Sequence, residues 1–264
     1  MPMQFSENNN SEFIKLLSIV IPAYKQEKTI LQDIDELEES LKELKINYEL
    51  IVVIDGNLDK TFDEVKKINR KHVKVYMYEK NEGKGYAVKY GMSRAKGDII
   101  GFIDAGMDIS PASISMLLSH MIWYNADIIV GSKLHPVSQV NYPLIRKFLS
   151  WGYRNFTHLL FGFKVRDTQV GLKIFKKKVA KDVFPRLTVK QFAFDIEMLA
   201  VAHTLGYHRI FEAPIRLNFK GASSVTSIGL WKVILLMIRD TLAIFYRIRI
   251  TQYYRKRNKK NWLA

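Results

Sequence analysis

Five short apolar runs set the architecture of the first half of the chain: residues 17–21 (LSIVI), 50–54 (LIVVI), 73–78, 99–103 and 127–130. They are β-branched and nearly continuous, the pattern of strands covered on both faces, as in a parallel sheet. Stretches of helical period separate them, at residues 29–44, 62–70, 85–96 and 111–123. Strand and helix in alternation predict an α/β, Rossmann-like fold with a mixed, mostly parallel sheet. At 264 residues the chain suffices for one such domain and a short appendage.

In such a sheet the residues just past each strand meet at one edge, where ligands bind. Here they are Pro22-Ala23-Tyr24, then Asp55-Gly56-Asn57-Leu58-Asp59-Lys60-Thr61, then Asn81-Glu82-Gly83-Lys84-Gly85. Asp104-Ala105-Gly106-Met107-Asp108 and Gly131-Ser132-Lys133 follow. Acids, glycines and lysines gathered on one rim suit a nucleoside, its phosphates and a divalent cation. Each member alone has a plainer reading. Asp55 also fits a turn, Gly83-Lys84-Gly85 a glycine turn before a helix, and Asp108 a helix cap. Gly83-Lys84-Gly85 is not a P-loop, because its spacing is short and no Ser or Thr follows the lysine.

The second half is less regular. Residues 142–163 predict an aromatic-rich helix, residues 194–205 another, and residues 207–219 alternate as a strand. Asp167, Asp195 and Glu197 are acids among apolar neighbours, a setting that aims a carboxylate or raises its pKa; Asp195 also reads as a helix cap. The chain has no cysteine, which excludes disulfides, thiolate metal ligands and cysteine nucleophiles. The six histidines show no metal-ligand spacing, and His203 and His208 read as structural.

Taken in order, these segments resemble glycosyltransferase family 2 of the GT-A fold, in its polyprenyl- or dolichyl-phosphate hexose synthase branch. The match runs through Ser18-Ile19-Val20-Ile21-Pro22-Ala23-Tyr24, the segments after Asp55 and Asn81, Gly97 to Ala105, and Gly131-Ser132-Lys133. It ends with Asp167-Thr168-Gln169-Val170-Gly171-Leu172-Lys173 and Phe194-Asp195-Ile196-Glu197. The resemblance implies that Pro22, Ala23, Tyr24, Val53 and Asp55 hold the base and ribose. It puts Asp104 and Ala105 against ribose and diphosphate; Lys84, between two glycines that let the backbone approach a ligand, reads from its own setting as a phosphate contact. Lys133, Arg146, Ser150 and Lys220 take the phosphate-binding places, two of which often carry Arg in the family. The implied metal is Mg²⁺ or Mn²⁺ on Asp104. The family's second motif acid falls at Gly106 here, so Asp108 is implied as the further ligand.

The implied reaction is inverting hexosyl transfer from UDP-glucose or GDP-mannose to a polyprenyl or dolichyl phosphate. The acids most concerned with chemistry would be Asp104 and Asp167, with Lys133 and Arg146 positioning the acceptor. An acceptor on a glycan or lipid-linked oligosaccharide would instead need a carboxylate base, Asp167 or Asp195. The loss at Gly106 also admits a membrane adaptor without turnover.

The formal net charge is +15. From residue 228 onward nine basic residues face a single acid, Asp240. Residues 228–250 form a helical pattern with a polar stripe of Lys232, Arg239, Asp240 and Arg247, while Ile234, Met237, Ile238, Ile244, Phe245 and Ile248 cover the far side. Its uncharged runs are too short to span a bilayer. The expectation is a helix in the interface of an anionic membrane, peripheral and on the cytoplasmic face. Packing on the core or a homo-oligomer contact is the plainer alternative. No nucleic-acid motif accompanies the charge, so nucleic acid is set aside. The expected division is a flexible leader at 1–14, the transferase domain at 15–226 and the basic tail at 227–264.

Overall fold

The computed structural model describes residues 14–138, 144–162, 165–191, 193–217 and 230–256, without the side chains of 144–151, 230–232 and 256. Among the described residues seven strands form one sheet: β1 Leu17–Ala23, β2 Tyr48–Asp55, β3 Val73–Tyr78, β4 Ile99–Ile103, β5 Ile128–Ser132, β6 Leu172–Lys176 and β7 Ile210–Pro214. Their order is β3-β2-β1-β4-β6-β5-β7. β6 runs antiparallel to both β4 and β5, and the other pairings are parallel. The sheet is therefore mixed and mostly parallel, as the alternation of runs predicts.

The near-continuous apolar character of β1 follows from two cores, one on each face of the sheet. Ile19 and Ile21 face one core, with Ile30, Ile34, Leu37 and Leu41 of α1 (Ile30–Lys42) and Ile114 and Leu117 of α4 (Ser113–Trp123). Val20 faces the other, with Ala87, Val88 and Met92 of α3 (Lys84–Met92) and the almost wholly buried α7 (Phe194–Thr204). α2 (Thr61–Lys66), α5 (Leu144–Phe161) and α6 (Lys177–Val183) complete the domain. Strand β6 has no counterpart among the expected strands, because Lys173 and Lys176 interrupt its apolar run (LKIFK) where β4 and β5, of the same length, carry none. The alternating stretch at 207–219 shortens to β7, with Leu217 joined by one antiparallel bridge to Ile109.

The tail helix α8 (Leu230–Arg249) packs on the domain. Ile244 is fully buried, and Phe245 and Ile248 lie against the same core. The short α9 (Tyr253–Lys256) buries Tyr254, whose carbonyl accepts from Nε of Arg186 at 2.8 Å. The opposite face of α8 carries Leu235, Arg239, Leu242, Tyr246, Arg249 and Ile250, all exposed. The side chains expected to cover the apolar face are thus divided: Ile244, Phe245 and Ile248 turn inward, while a different apolar row faces outward. Among the described residues no helix is long and apolar enough to cross a membrane.

Candidate active site

Parallel neighbours β2, β1 and β4 end on the same rim, so Asp55 and Asp104 flank the end of β1. The two acids have different surroundings. Asp55 is buried, and its carboxylate accepts from four donors, one of them shared between its two oxygens. Oδ1 takes the Tyr78 hydroxyl at 2.9 Å and the N–H groups of Glu82 and Gly83 at 2.7 and 3.2 Å. Oδ2 takes Nδ2 of Asn81 at 3.1 Å and the Gly83 N–H at 3.0 Å. A carboxylate offers about four lone-pair sites, so the acceptor capacity of Asp55 is directed at the 81–83 loop. Burial and the Asp55 charge push the Tyr78 phenol far above its ordinary pKa, which keeps it a donor.

Lys84 follows that loop at the first turn of α3, and its Nζ lies 2.8 Å from Oδ2 of Asp104. A second acid, Asp195 at the start of α7, stands 4.0 Å from the same ammonium. Burial works against the charge of Lys84, but the carboxylates of Asp104 and Asp195 outweigh it and hold its pKa above the ordinary lysine value. The loop thus ties the two rim acids together, Gly83 by its backbone to Asp55 and Lys84 by its side chain to Asp104.

Asp104 is also shaped from β6. Its N–H donates to the carbonyl of Gly171 at 2.9 Å. A Cβ at residue 171 would fall 2.0 Å from Oδ2 of Asp104, so only glycine leaves the carboxylate where it is. The other oxygen, Oδ1, is buried and has no hydrogen-bond partner among the described residues. An unmatched buried acceptor at a rim is a position a cation would satisfy. Mg²⁺ and Mn²⁺ need only one or two protein carboxylates when water and phosphate complete the shell, so Asp104 fits the ion. Among the described residues no three His, Asp or Glu cluster for a metal. Gly106 sits at φ +85°, in the left-handed region that favours glycine, and its N–H donates to Oδ2 of Asp33 at 2.7 Å. Asp108, two residues on, is exposed.

The remaining residues of the expected site are spread along the same rim. Tyr24 is 48% exposed at the end of β1, beside half-buried Pro22 and buried Ala23. Ala105 is half-buried next to Asp104. Val53 is wholly inside the core on the α3 side. The Lys133 N–H donates to Oδ2 of Asp167 at 2.9 Å, which joins the ends of β5 and the segment before β6. Burial, reinforced by Glu212, raises the pKa of Asp167 against the pull of Lys133 and Lys173. Arg146 and Ser150 fall on α5 by backbone, with side chains outside the described set, and Lys220 lies outside the described residues altogether.

One residue and one pairing escaped sequence reasoning. Asp33 sits on the apolar face of α1 among Ile30, Ile34 and Leu37; an acid on that stripe was the available signal. Lys173 is the fully buried partner of Asp195, with Nζ to Oδ1 2.5 Å. Both residues stand in segments that carry the family resemblance, but no local pattern pairs one with the other.

A model of the family described as glycosyl transferase family 2 matches residues 18–184, more than half of the chain. The chain belongs to glycosyl transferase family 2. It is a glycosyltransferase, and its sheet is that of the GT-A fold. A dolichyl-phosphate beta-glucosyltransferase of Trichomonas vaginalis is 30% identical over 88% of this chain and 74% of its own length. The human dolichyl-phosphate beta-glucosyltransferase is likewise 30% identical, over 89% and 76%. Among solved structures, glucosyl-3-phosphoglycerate synthase of Mycobacterium tuberculosis, in complex with Mn²⁺, UDP and phosphoglyceric acid, superposes with a TM-score of 0.63. That match covers 88% of this chain and 78% of that one at 18% identity. A likeness so distant in sequence speaks for the fold alone. Membership in an enzyme family sets aside the reading of a membrane adaptor without turnover.

Proposed function

We propose that this family 2 enzyme transfers glucose from UDP-glucose to a dolichyl or other polyprenyl phosphate at a membrane surface. The observation that carries the donor half is the Lys84–Asp104 pair, with an ammonium and an unmatched carboxylate oxygen side by side on the rim. Glucose and the lipid phosphate rest on the names of the relatives, which are dolichyl-phosphate beta-glucosyltransferases; those names do not favour mannose.

In this reading an oxygen of the acceptor phosphate attacks the anomeric carbon as the bond to the departing diphosphate breaks, which inverts the centre. Negative charge grows on the leaving group, and Lys84 meets it. Mg²⁺ or Mn²⁺ held by Asp104, with Asp108 as the implied further ligand, would supply further charge neutralisation there. Pro22, Ala23, Tyr24 and Ala105 frame the base and ribose, Asp55 fixes the loop behind them, and Val53, enclosed in the core, serves only to support β2 beneath that rim. Lys133, Arg146, Ser150 and Lys220 position the acceptor. A phosphate monoester has its second pKa near ~6, so the acceptor arrives ionised and needs no strong base. Asp195, locked to Lys173, is consistent with that. The raised pKa of Asp167 supports the second reading, a hydroxyl acceptor on a glycan, in which Asp167 accepts the proton.

The outward row at α8 supports membrane contact, which we propose to be at the cytoplasmic face: Leu235 and Ile250 are 67% and 65% exposed, with Arg239 and Arg249 alongside. The same row would equally serve contact between copies of the chain.

The test is direct. Labelled UDP-glucose and a short polyprenyl phosphate, with Mn²⁺, should give a labelled lipid, and labelled GDP-mannose should not. A labelled glycan and no labelled lipid would favour the second reading, and no lipid product with any donor would overturn the first.

A further inference from the structure

Lys173 and Asp195 take no part in the reaction as proposed, yet both are buried, Lys173 completely. Desolvating an ion pair is costly, and such a pair is weak ground for stability. Its place in the fold suggests another role.

Lys173 is fixed from three sides. Its Nζ donates to the carbonyl of Val170 at 2.6 Å and to Oδ1 of Asp195 at 2.5 Å, and lies 5.3 Å from the centre of the Phe102 ring. Oδ2 of Asp195 stands 4.0 Å from Nζ of Lys84, beyond hydrogen-bond reach. Lys84 donates to Asp104 instead, and its ammonium lies 5.7 Å from the same Phe102 ring. Four charges of alternating sign therefore run inward from the rim: Asp104, Lys84, Asp195, Lys173.

Two carboxylates compete for one ammonium. Asp104 is at the rim, where a diphosphate would arrive, and Asp195 is behind it. Bonded to Lys173, Asp195 belongs to a neutral pair and pulls weakly on Lys84. Without Lys173 it would be an unneutralised buried carboxylate, and Coulomb attraction is strong where water is excluded. The flexible Lys84 side chain would be drawn inward, away from the rim.

We infer that Lys173 is a positioning residue for donor binding: it neutralises Asp195 and so keeps the Lys84 ammonium turned toward the rim. This rests on the reading that Lys84 meets the donor diphosphate, and it adds the buried residue that makes Lys84 available.

UDP binding to the full chain, measured by calorimetry with Mn²⁺ present, tests the inference. Lys173→Met keeps the side chain's length and removes its charge. The expected result is a UDP Kd raised about tenfold or more. The KM for UDP-glucose should rise by a similar factor and kcat should change by less than about threefold. Lys173→Met combined with Asp195→Asn removes both charges and should restore UDP binding to within about threefold of wild type. A single variant that binds UDP normally, or a double variant no better than the single one, overturns the inference. Should Lys173→Met not fold, the double variant decides alone: near-native UDP binding supports the role, and a loss beyond about tenfold overturns it. Lys84→Met is the control on the reading beneath. If it leaves UDP affinity unchanged, the proposed donor site fails, and not merely the role of Lys173.

Discussion

The hydroxyl of Tyr254 donates to Oε1 of Glu197 across 2.5 Å, joining residues 57 positions apart. Glu197 is fully buried and also accepts from the N–H and hydroxyl of Thr188 and from the N–H of Val189. Nη1 of Arg247, on α8, donates to the Thr188 hydroxyl at 2.9 Å. The next residue, Lys190, offers its carbonyl to the N–H of Gly85 at 2.8 Å. The tail, the 188–190 segment and the first turn of α3 are therefore one connected structure, with Lys84 at its far end.

Tyr254→Phe removes one hydrogen bond to a buried charge, worth about 1.5–3 kcal/mol. For a chain of this size, at about 2–4 °C per kcal/mol, that corresponds to a melting temperature lower by roughly 3–12 °C. Scanning calorimetry of the full chain measures it. A change below about 1 °C would show that the tail is held by apolar packing around Ile244 and not by this bond.

Gly171→Ala should separate activity from stability. The new Cβ would fall 2.0 Å from Oδ2 of Asp104, and the carboxylate, being the mobile partner, must turn away from Lys84. Misplacing a group at a reaction centre by about 1 Å costs on the order of 100-fold. The expected outcome is a fall of that order in kcat/KM, with a melting temperature close to wild type. Wild-type kinetics would mean that Asp104 does not need its observed orientation.

Much of this was legible in the chain itself. The five β-branched runs imply a buried sheet because both cores press on it, and the rim follows because parallel strands end together. Asp55 and Asp104 could be placed on that rim from strand order alone. The division of labour between them could not. It depends on Tyr78, Asn81 and Gly83 surrounding Asp55, and on Lys84 turning to Asp104. β6 is an antiparallel insertion whose two lysines, Lys173 and Lys176, break the apolar run that marks the other strands. The Glu197–Tyr254 and Lys173–Asp195 bonds link distant positions that no local pattern pairs. The tail helix shows why a hydrophobic wheel underdetermines burial: α8 has apolar side chains on two faces, and only packing chooses which one turns inward.

Asp104→Asn removes the charge that Lys84 and a divalent cation would share. UDP with Mn²⁺ should stabilise the wild type against heat by more than UDP alone, since ligands of the native state raise its melting temperature. In the variant that metal-dependent increment should vanish, and kcat/KM should fall about 100- to 1,000-fold. An increment that survives in Asp104→Asn, and disappears in Asp108→Asn, would move the cation to Asp108.

The last prediction concerns pH and the opposite end of the sheet. Glu49, buried near the start of β2, accepts from the Ser18 hydroxyl at 2.7 Å, from Nζ of Lys74 at 2.6 Å and from the Lys96 N–H at 2.7 Å. Burial alone would raise its pKa, but these donors outweigh burial and hold it below the ordinary glutamate value. A carboxyl depressed in the folded state contributes stability above its unfolded pKa, and that contribution is lost as pH falls through the folded value. Glu49→Gln should therefore be less stable than wild type at pH 7 by about 1–3 kcal/mol in urea denaturation. The partial exposure of Lys74 favours the lower end of that range. Below the ordinary glutamate pKa of about 4.3 the gap should narrow, because the wild type is then losing the same interaction. A gap of equal size at pH 7 and at about pH 3 would show that Glu49 acts through packing and not through its charge.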